Sequence, residues 1–115
     1  MLFANQGFAK AQHNLGLMYY NGEGVRQDYQ KALGWLKKAA NQGLADAQFN
    51  LGVMYHNGEG VRQDDQKAFE WFTKAANQEN ALAQYSLGVM YDEGKGVRQD
   101  DQKAFEWYTK AANQG

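Results

Sequence analysis

The sequence predicts an all-α fold: a right-handed α-solenoid of three helix-turn-helix repeats, with six helices in a single domain of 115 residues. Two repeated blocks predict it. Leu-Gly-x-Met-Tyr recurs at residues 15–19, 51–55 and 87–91, and Gly-Val-Arg-Gln-Asp recurs at the same 36-residue interval. Because a period of roughly 20 to 50 residues is typical of stacked supersecondary units, we expect repeats at about 8–43, 44–79 and 80–115.

Each repeat is predicted to contain two helices, called here the first and the second helix of the repeat. In the middle repeat, small and apolar residues recur at helical spacing from Ala45 to about His56. Gly58 ends this first helix, because glycine readily takes the left-handed conformation that follows a helix end. Asp64 is the predicted N-cap of the second helix, since its carboxylate can accept a hydrogen bond from an unpaired backbone N–H. In the third repeat, Asn80 is expected to take the left-handed conformation where the second repeat has Gly-Leu.

The second helix of the middle repeat, about residues 65 to 77, has an apolar and a charged face. Its Trp71, like Trp35 and Trp107, is predicted to pack in the core between repeats rather than to form a ligand box. A glycine recurs inside the first helices at positions 16, 52 and 88, although each costs about 1 kcal/mol relative to alanine. We therefore expect a helix to approach closely there, with a Trp or Phe filling the space. On the charged face, i,i+4 pairs are expected for Glu70–Lys74 and Glu106–Lys110.

Composition narrows the possible functions. The chain has no cysteine, which excludes disulfides and thiolate metal sites. A formal net charge of -1 argues against nucleic-acid or anionic-membrane partners, which require a basic excess. No apolar run approaches the roughly 20 residues of a membrane helix, and Met1 to Lys10 lack the pattern of a signal peptide.

No constellation in the sequence predicts catalysis, a metal or a cofactor. Ser86 is the only serine, and it has no lysine three residues later. His13 and His56 occupy different repeat positions, so they are expected to face solvent or, alternatively, to line a binding groove. The Gly-x-Gly loops follow helices and contain Glu23 and Glu59, which would repel phosphate, so we interpret them as turns. The chain is therefore not expected to be an enzyme.

The repeated residues resemble the Sel-one-like repeat family, a branch of the tetratricopeptide-like superfamily. The family pattern appears here as Leu51–Tyr55, Gly58–Val61, Asp64 and Ala68–Ala76, and it covers nearly the whole chain from about Ala9. The arginines at positions 26, 62 and 98 depart from it, because the family often has proline after the valine. The resemblance implies an α-solenoid that acts as a scaffold or adaptor in protein complexes.

A protein or an extended peptide is the predicted partner, bound on the concave face that the first helices line. Packing forces residues to repeat, so the positions that vary along the first helices are free to bind. Phe49 and Tyr85 would be apolar anchors, and Asn14 and Asn50 could bond a peptide backbone. The alternative is that these positions vary because nothing constrains them. The candidate residues are Lys10, His13, Asn14, Leu17, Tyr20, Asp46, Phe49, Asn50, Val53, His56, Leu82, Tyr85, Ser86, Val89 and Asp92, extended by Asn21, Asn57 and Glu93 at the helix ends.

A structural role is the rival hypothesis: the chain would be a spacer or a self-assembling fragment of a longer repeat protein. Residues 4–7 match Ala40–Gly43, the expected end of a second helix, and no capping helix follows the last repeat. Because solenoids need polar caps, Phe105, Tyr108 and Ala112 should be partly uncovered. Either the chain is a piece of a longer array, or it associates end to end with itself.

Overall fold

Six α-helices form the whole regular structure of the described residues. The computed structural model describes the backbone of residues 2–114 and the side chains of residues 7–114. The helices are α1 (Leu2–Asn21), α2 (Tyr29–Asn41), α3 (Ala45–Asn57), α4 (Asp65–Ala76), α5 (Ala81–Glu93) and α6 (Asp101–Gln114). Each packs on the helix that follows it, in three pairs that stack along the chain. This confirms the predicted α-solenoid of three repeats.

Caps at the loops between paired helices fix where each helix begins and ends. Gly58 is left-handed (φ 71°), and its N–H donates to Met54 O. The Asp64 carboxylate accepts a 3.0 Å bond from the backbone N–H of Lys67, and the equivalent aspartates in the other repeats make the same bond. Both predicted caps are confirmed.

The turn between the second and third repeats differs from the prediction. Asn80 has a φ of -75°, and its side chain accepts from Ala83 N as the N-cap of α5. Glu79 is the residue that takes the left-handed conformation, with a φ of 68°. The prediction for Asn80 was wrong because Glu79 aligns with the left-handed Gly43, and Asn80 can cap only if it stays extended.

The structure has no helix end at residues 4–7, where the sequence match predicted the end of an earlier second helix. Residues 4–7 belong to α1, which runs without a break from Leu2 to Asn21. The side chains of residues 1–6 lie outside the described residues. Among the described residues, no helix has both the length and the apolar content that a membrane crossing requires.

The core is built mainly from alanines and a few larger aliphatic side chains. Small side chains let the helices approach closely, and the larger ones fill the space between pairs. The fully buried members are Ala32, Leu36, Ala39, Ala47, Leu51, Met54, Ala68, Ala75, Ala83 and Leu87. These residues come from α2 to α5, so the core runs continuously through the repeats.

Close approach at the glycines of the first helices is confirmed. A Cβ added at Gly52 would lie 2.7 Å from the ring of Phe72 in α4. Added Cβ atoms at Gly16 and Gly88 would collide with Leu36 and Tyr108. The residue over each glycine therefore immediately follows the tryptophan, and the tryptophan itself does not fill the space.

The tryptophans lie at the edge of the core, not within it. All three are only partly buried, and in each the ring carries the ammonium group of a lysine three residues later, at 4.6 Å for Lys74 over Trp71. Lys38 and Lys110 repeat the contact. The predicted i,i+4 interactions of Glu70 with Lys74 and of Glu106 with Lys110 are not formed, because these lysines turn to the indole rings.

Buried glutamines connect neighbouring repeats. Gln48 of α3 donates through Nε2 to Ala40 O of the preceding repeat, at 3.2 Å, and its Oε1 accepts from Gln78 at 3.0 Å. Gln84 of α5 repeats the pattern with Ala76 O and Gln114. Each amide adds a second hydrogen bond to a backbone carbonyl that also accepts from the turn after it, Ala40 O from Gly43 N and Ala76 O from Glu79 N. These bonds satisfy the buried amides, which would be costly to leave unpaired.

Candidate protein-binding groove

Two cavities lie side by side along the first helices. The first cavity, of about 160 Å³, lies between α1 and α3 and is lined by Leu17, Tyr20, Leu36, Phe49, Asn50 and Val53. The second cavity, of about 210 Å³, lies between α3 and α5 and is lined by Val53, His56, Phe72, Tyr85, Ser86, Val89, Met90, Glu93 and Lys95. Because Val53 borders both, the cavities form one interrupted groove, called here the groove.

Second-helix residues make the floor of the groove. Leu36 closes the first cavity from below and Phe72 closes the second. These two side chains reach the groove because the glycines opposite them leave room. Phe49 packs on Phe72 with ring centroids 5.6 Å apart, so the wall and floor of the groove are one aromatic cluster.

Polar groups of the first cavity are held by neighbours in adjacent repeats. Asn50 Nδ2 and His13 Nε2 are 2.9 Å apart, a contact between α3 and α1. Burial lowers the pKa of His13, against the opposing effects of Asp46 and of a bond to Asn14. Tyr20 donates its hydroxyl to Glu59 at 2.7 Å, and burial together with that carboxylate raises the pKa of Tyr20 to about 12.

The rim of the second cavity holds charged side chains. His56 Nδ1 lies 2.8 Å from Asp65 Oδ1, and Lys95 Nζ lies 3.6 Å from Glu93 Oε1. Tyr85 is 56% exposed. Its ring packs on Tyr108, at 5.7 Å between centroids, so an exposed aromatic surface is held rigidly at the mouth of this cavity.

Tyr108 of α6 contacts a further carboxylate, on α5 of the same repeat. Its hydroxyl donates to Asp92 at 3.3 Å. Burial, and next the charge of Asp92, raise the pKa of Tyr108. The phenol therefore stays neutral near pH 7 and acts as a donor.

The structure brings ten of the predicted binding residues together at the groove. These are Leu17, Tyr20, Phe49, Asn50, Val53, His56, Tyr85, Ser86, Val89 and Glu93. His13 adjoins them through Asn50. The other predicted residues are exposed and line neither cavity: Lys10, Asn14, Asn21, Asp46, Asn57, Leu82 and Asp92.

Sequence reasoning missed four lining residues. Leu36 and Phe72 lie on second helices, where no binding residues were predicted, although their position varies from Leu to Phe to Tyr across the repeats. Met90 belongs to a repeated block and was assigned to packing. Lys95 replaces Glu23 and Glu59 of the other loops, and this change of charge was the available signal.

Size and chemistry indicate what the groove can hold. Pockets for small-molecule ligands are usually about 300–1,000 Å³, and each cavity here is smaller and open. Within the described residues no three His, Asp or Glu side chains are grouped to hold a metal ion. The cavities suit single apolar side chains of a larger partner.

Comparisons with known proteins agree with the repeat architecture. The Sel1 repeat profile matches residues 9–44, 45–80 and 81–115. A crystal structure from uropathogenic Escherichia coli, the protective antigen c5321 with an SLR fold, is 54% identical with a TM-score of 0.93, over 97% of this chain and 24% of that one. A Sel1 repeat protein from Oxalobacter formigenes is 39% identical with a TM-score of 0.91, over 93% and 44%.

A third structure extends the comparison to a more distant relative. Helicobacter pylori cysteine rich protein B is 28% identical with a TM-score of 0.78, over 96% of this chain and 84% of that one. No sequence match to a curated protein was found. The chain spans about a quarter of the Escherichia coli protein and less than half of the Oxalobacter protein.

Sel1 repeat proteins are helical scaffolds that generally take part in protein interactions, and their fold is typically non-catalytic. All three repeats of this chain match the family, and together the matches cover residues 9–115. The chain therefore belongs to the Sel1 repeat family.

Proposed function

We propose that the chain binds a protein segment along the groove and inserts one apolar side chain of that segment into each cavity. The observation that carries this proposal is the pair of cavities that share Val53. Two side-chain-sized cavities in adjacent register suit a continuous segment better than a compact small molecule. Aromatic and aliphatic side chains seated in pockets are the usual anchors of protein interfaces.

The polar groups of the groove support an extended or helical segment. Asn50 lines the first cavity and Ser86 the second, where their polar groups can bond a backbone. Tyr85 already lies in a fixed position on Tyr108, so little side-chain entropy is lost when a partner covers it.

The double variant Phe49→Ala plus Tyr85→Ala tests the proposal. Proteins captured from the source cell by the wild-type chain should be lost with this variant, while its helical circular dichroism is retained. Phe105→Ala is the matched control, because Phe105 is also an exposed aromatic but lies on α6, outside the groove. Captured proteins that stay with the double variant would contradict the proposal.

Assembly is a second candidate function, and one observation favours it. Phe69 of α4 packs edge-on against Tyr91 of α5, at 5.6 Å, as an inter-repeat contact. Its equivalent Phe105 is 72% exposed, and Leu15 and Met18 are exposed where Leu51 and Met54 are fully buried. These surfaces match those that join repeats inside the chain, so a second copy would dock there.

Light scattering across a concentration series tests the assembly candidate. A mass that rises with concentration in the wild type, and stays at 13.0 kDa in a Phe105→Lys variant, would support it. A concentration-independent mass of 13.0 kDa for the wild type would exclude it.

A further inference from the structure

Carboxylates from α3, from α5, from the loop after α3 and from the start of α4 lie around the groove. Glu93 lines the second cavity directly. Glu59 accepts from Tyr20, a wall residue of the first cavity, and Asp65 contacts His56, a wall residue of the second. Asp92 accepts from Tyr108, which packs on Tyr85, and Asp46 acts on His13.

Neutral side chains donate hydrogen bonds to three of these carboxylates. Glu59 accepts a hydrogen bond from Tyr20, Asp92 accepts one from Tyr108, and Asp46 accepts one from Asn80. These donors orient the carboxylates without neutralising them. Lys95, paired with Glu93, is the one lysine among the described residues that lines either cavity. Lys10, near the middle of α1, shares a repeat position with Asp46 but lines neither cavity.

Basic residues lie elsewhere on the molecule. The second helices contain seven of the nine lysines: Lys31, Lys37, Lys38, Lys67, Lys74, Lys103 and Lys110. The loop arginines at positions 26, 62 and 98 are exposed and line neither cavity. Among the second helices, α2 has three lysines and no carboxylate, whereas α4 and α6 each have two lysines and two carboxylates. The net charge of -1 therefore conceals an uneven distribution, with acidic side chains around the groove and a basic α2.

We propose that the groove selects a cationic segment, in which Lys or Arg residues flank the two apolar anchors. This inference rests on the proposed function and specifies the partner's chemistry. Complementary charge at the rim of an interface speeds association and disfavours partners of the wrong sign more than it adds raw affinity. An anionic segment with the same anchors would be repelled by the carboxylates of Asp46, Glu59 and Asp92, whose hydrogen-bond donors are neutral.

A peptide array in matched triplets tests the charge preference. Each triplet has two apolar anchors, Leu or Phe, at one of several spacings, with the flanking positions all Lys, all Gln or all Glu. At low ionic strength the Lys member should bind the wild-type chain about tenfold more tightly than the Glu member. Added salt should reduce that ratio, because exposed charges are screened.

Charge-removing variants locate the effect. Asp46→Asn plus Asp92→Asn keeps both hydrogen-bond acceptors while removing two charges, and it should reduce the Lys-to-Glu ratio several-fold. Glu70→Gln plus Glu106→Gln removes the same charge from the exposed faces of the second helices and should leave the ratio unchanged.

The outcomes separate the two proposals. Equal binding of the Lys and Glu members, abolished in both by Phe49→Ala plus Tyr85→Ala, would overturn the charge preference and leave the groove as the binding site. Binding that is unaffected by that double variant, or no binding by any member of the array, would overturn both.

Discussion

The two sides of α3 differ in burial and in how they vary between repeats. One side packs into the protein, is fully or almost fully buried, and is identical in the third repeat: Gln48, Leu51, Gly52 and Tyr55 correspond to Gln84, Leu87, Gly88 and Tyr91. The other side faces the groove, and three of its four positions differ: Phe49, Asn50 and His56 become Tyr85, Ser86 and Asp92 in α5, while valine is kept at positions 53 and 89.

This difference shows which constraint acts on each side of the helix. Residues on the packed side of α3 and α5 meet residues at equivalent positions of their own pair, although the side chain over the glycine changes from Phe72 to Tyr108. A similar shape and similar hydrogen bonds are therefore required each time. Residues on the groove side meet solvent or a partner, so each repeat can present different chemistry. One helix can therefore hold the array together and carry specificity.

Substitution of Gly52 by leucine should break the packed side most severely. A Cβ there already meets the Phe72 ring at 2.7 Å, and three further carbons have no space. We expect a loss near the upper end of the ~1–3 kcal/mol typical of overpacking, measured as a lower thermal midpoint. Gly34→Ala is the control: nothing lies within 4 Å of its added Cβ, so it should stabilise α2 by up to about 1 kcal/mol. An unchanged melting temperature for Gly52→Leu would refute the close-approach argument.

Replacement of Gln48 by leucine should have an intermediate effect. The buried carbonyl of Ala40 loses one of its two donors and keeps the N–H of Gly43. Gln78 loses an acceptor, while the side-chain volume changes little. We expect a loss of about 1–2 kcal/mol in the free energy of unfolding from urea denaturation. Gln12→Leu is the matched control, because Gln12 holds the same repeat position but is less buried and, among the described residues, accepts from the exposed Gln42. Equal losses for both variants would show that burial of the amide is not what matters.

The repeat period was sufficient to predict the fold, because the same packing must recur every 36 residues. The caps and the glycine contacts followed from local chemistry. The tryptophans show the limit of that logic: they recur in all three repeats, yet they lie at the core edge beneath lysines. A residue that recurs in every repeat therefore makes the same contact each time, but that contact can be with a lysine of its own helix and not with the core.

The groove could be predicted only in part. Variation along the first helices identified most of its walls, but the floor comes from residues 36 and 72 on other helices. Which second-helix residue reaches through to the groove depends on the rotation of that helix about its axis. The 36-residue period does not define this rotation, so Trp71 and Phe72 were equally plausible over Gly52 before the structure placed Phe72 there.

The smallest expected effect concerns the groove side at low pH. Burial lowers the pKa of His13, so the folded chain resists its protonation relative to an ordinary histidine of pKa about 6.5. The stability associated with neutral His13 is therefore present above that value and is lost as the pH falls through the lowered folded pKa. His13→Phe, which introduces the residue of the second repeat, removes the titration. Wild-type stability should decline relative to this variant between pH 7 and about pH 5, while His56, common to both proteins, cancels in the difference. Stability curves of equal slope for the two proteins would contradict this prediction. They would show that the surroundings of His13 in the folded chain do not oppose its protonation.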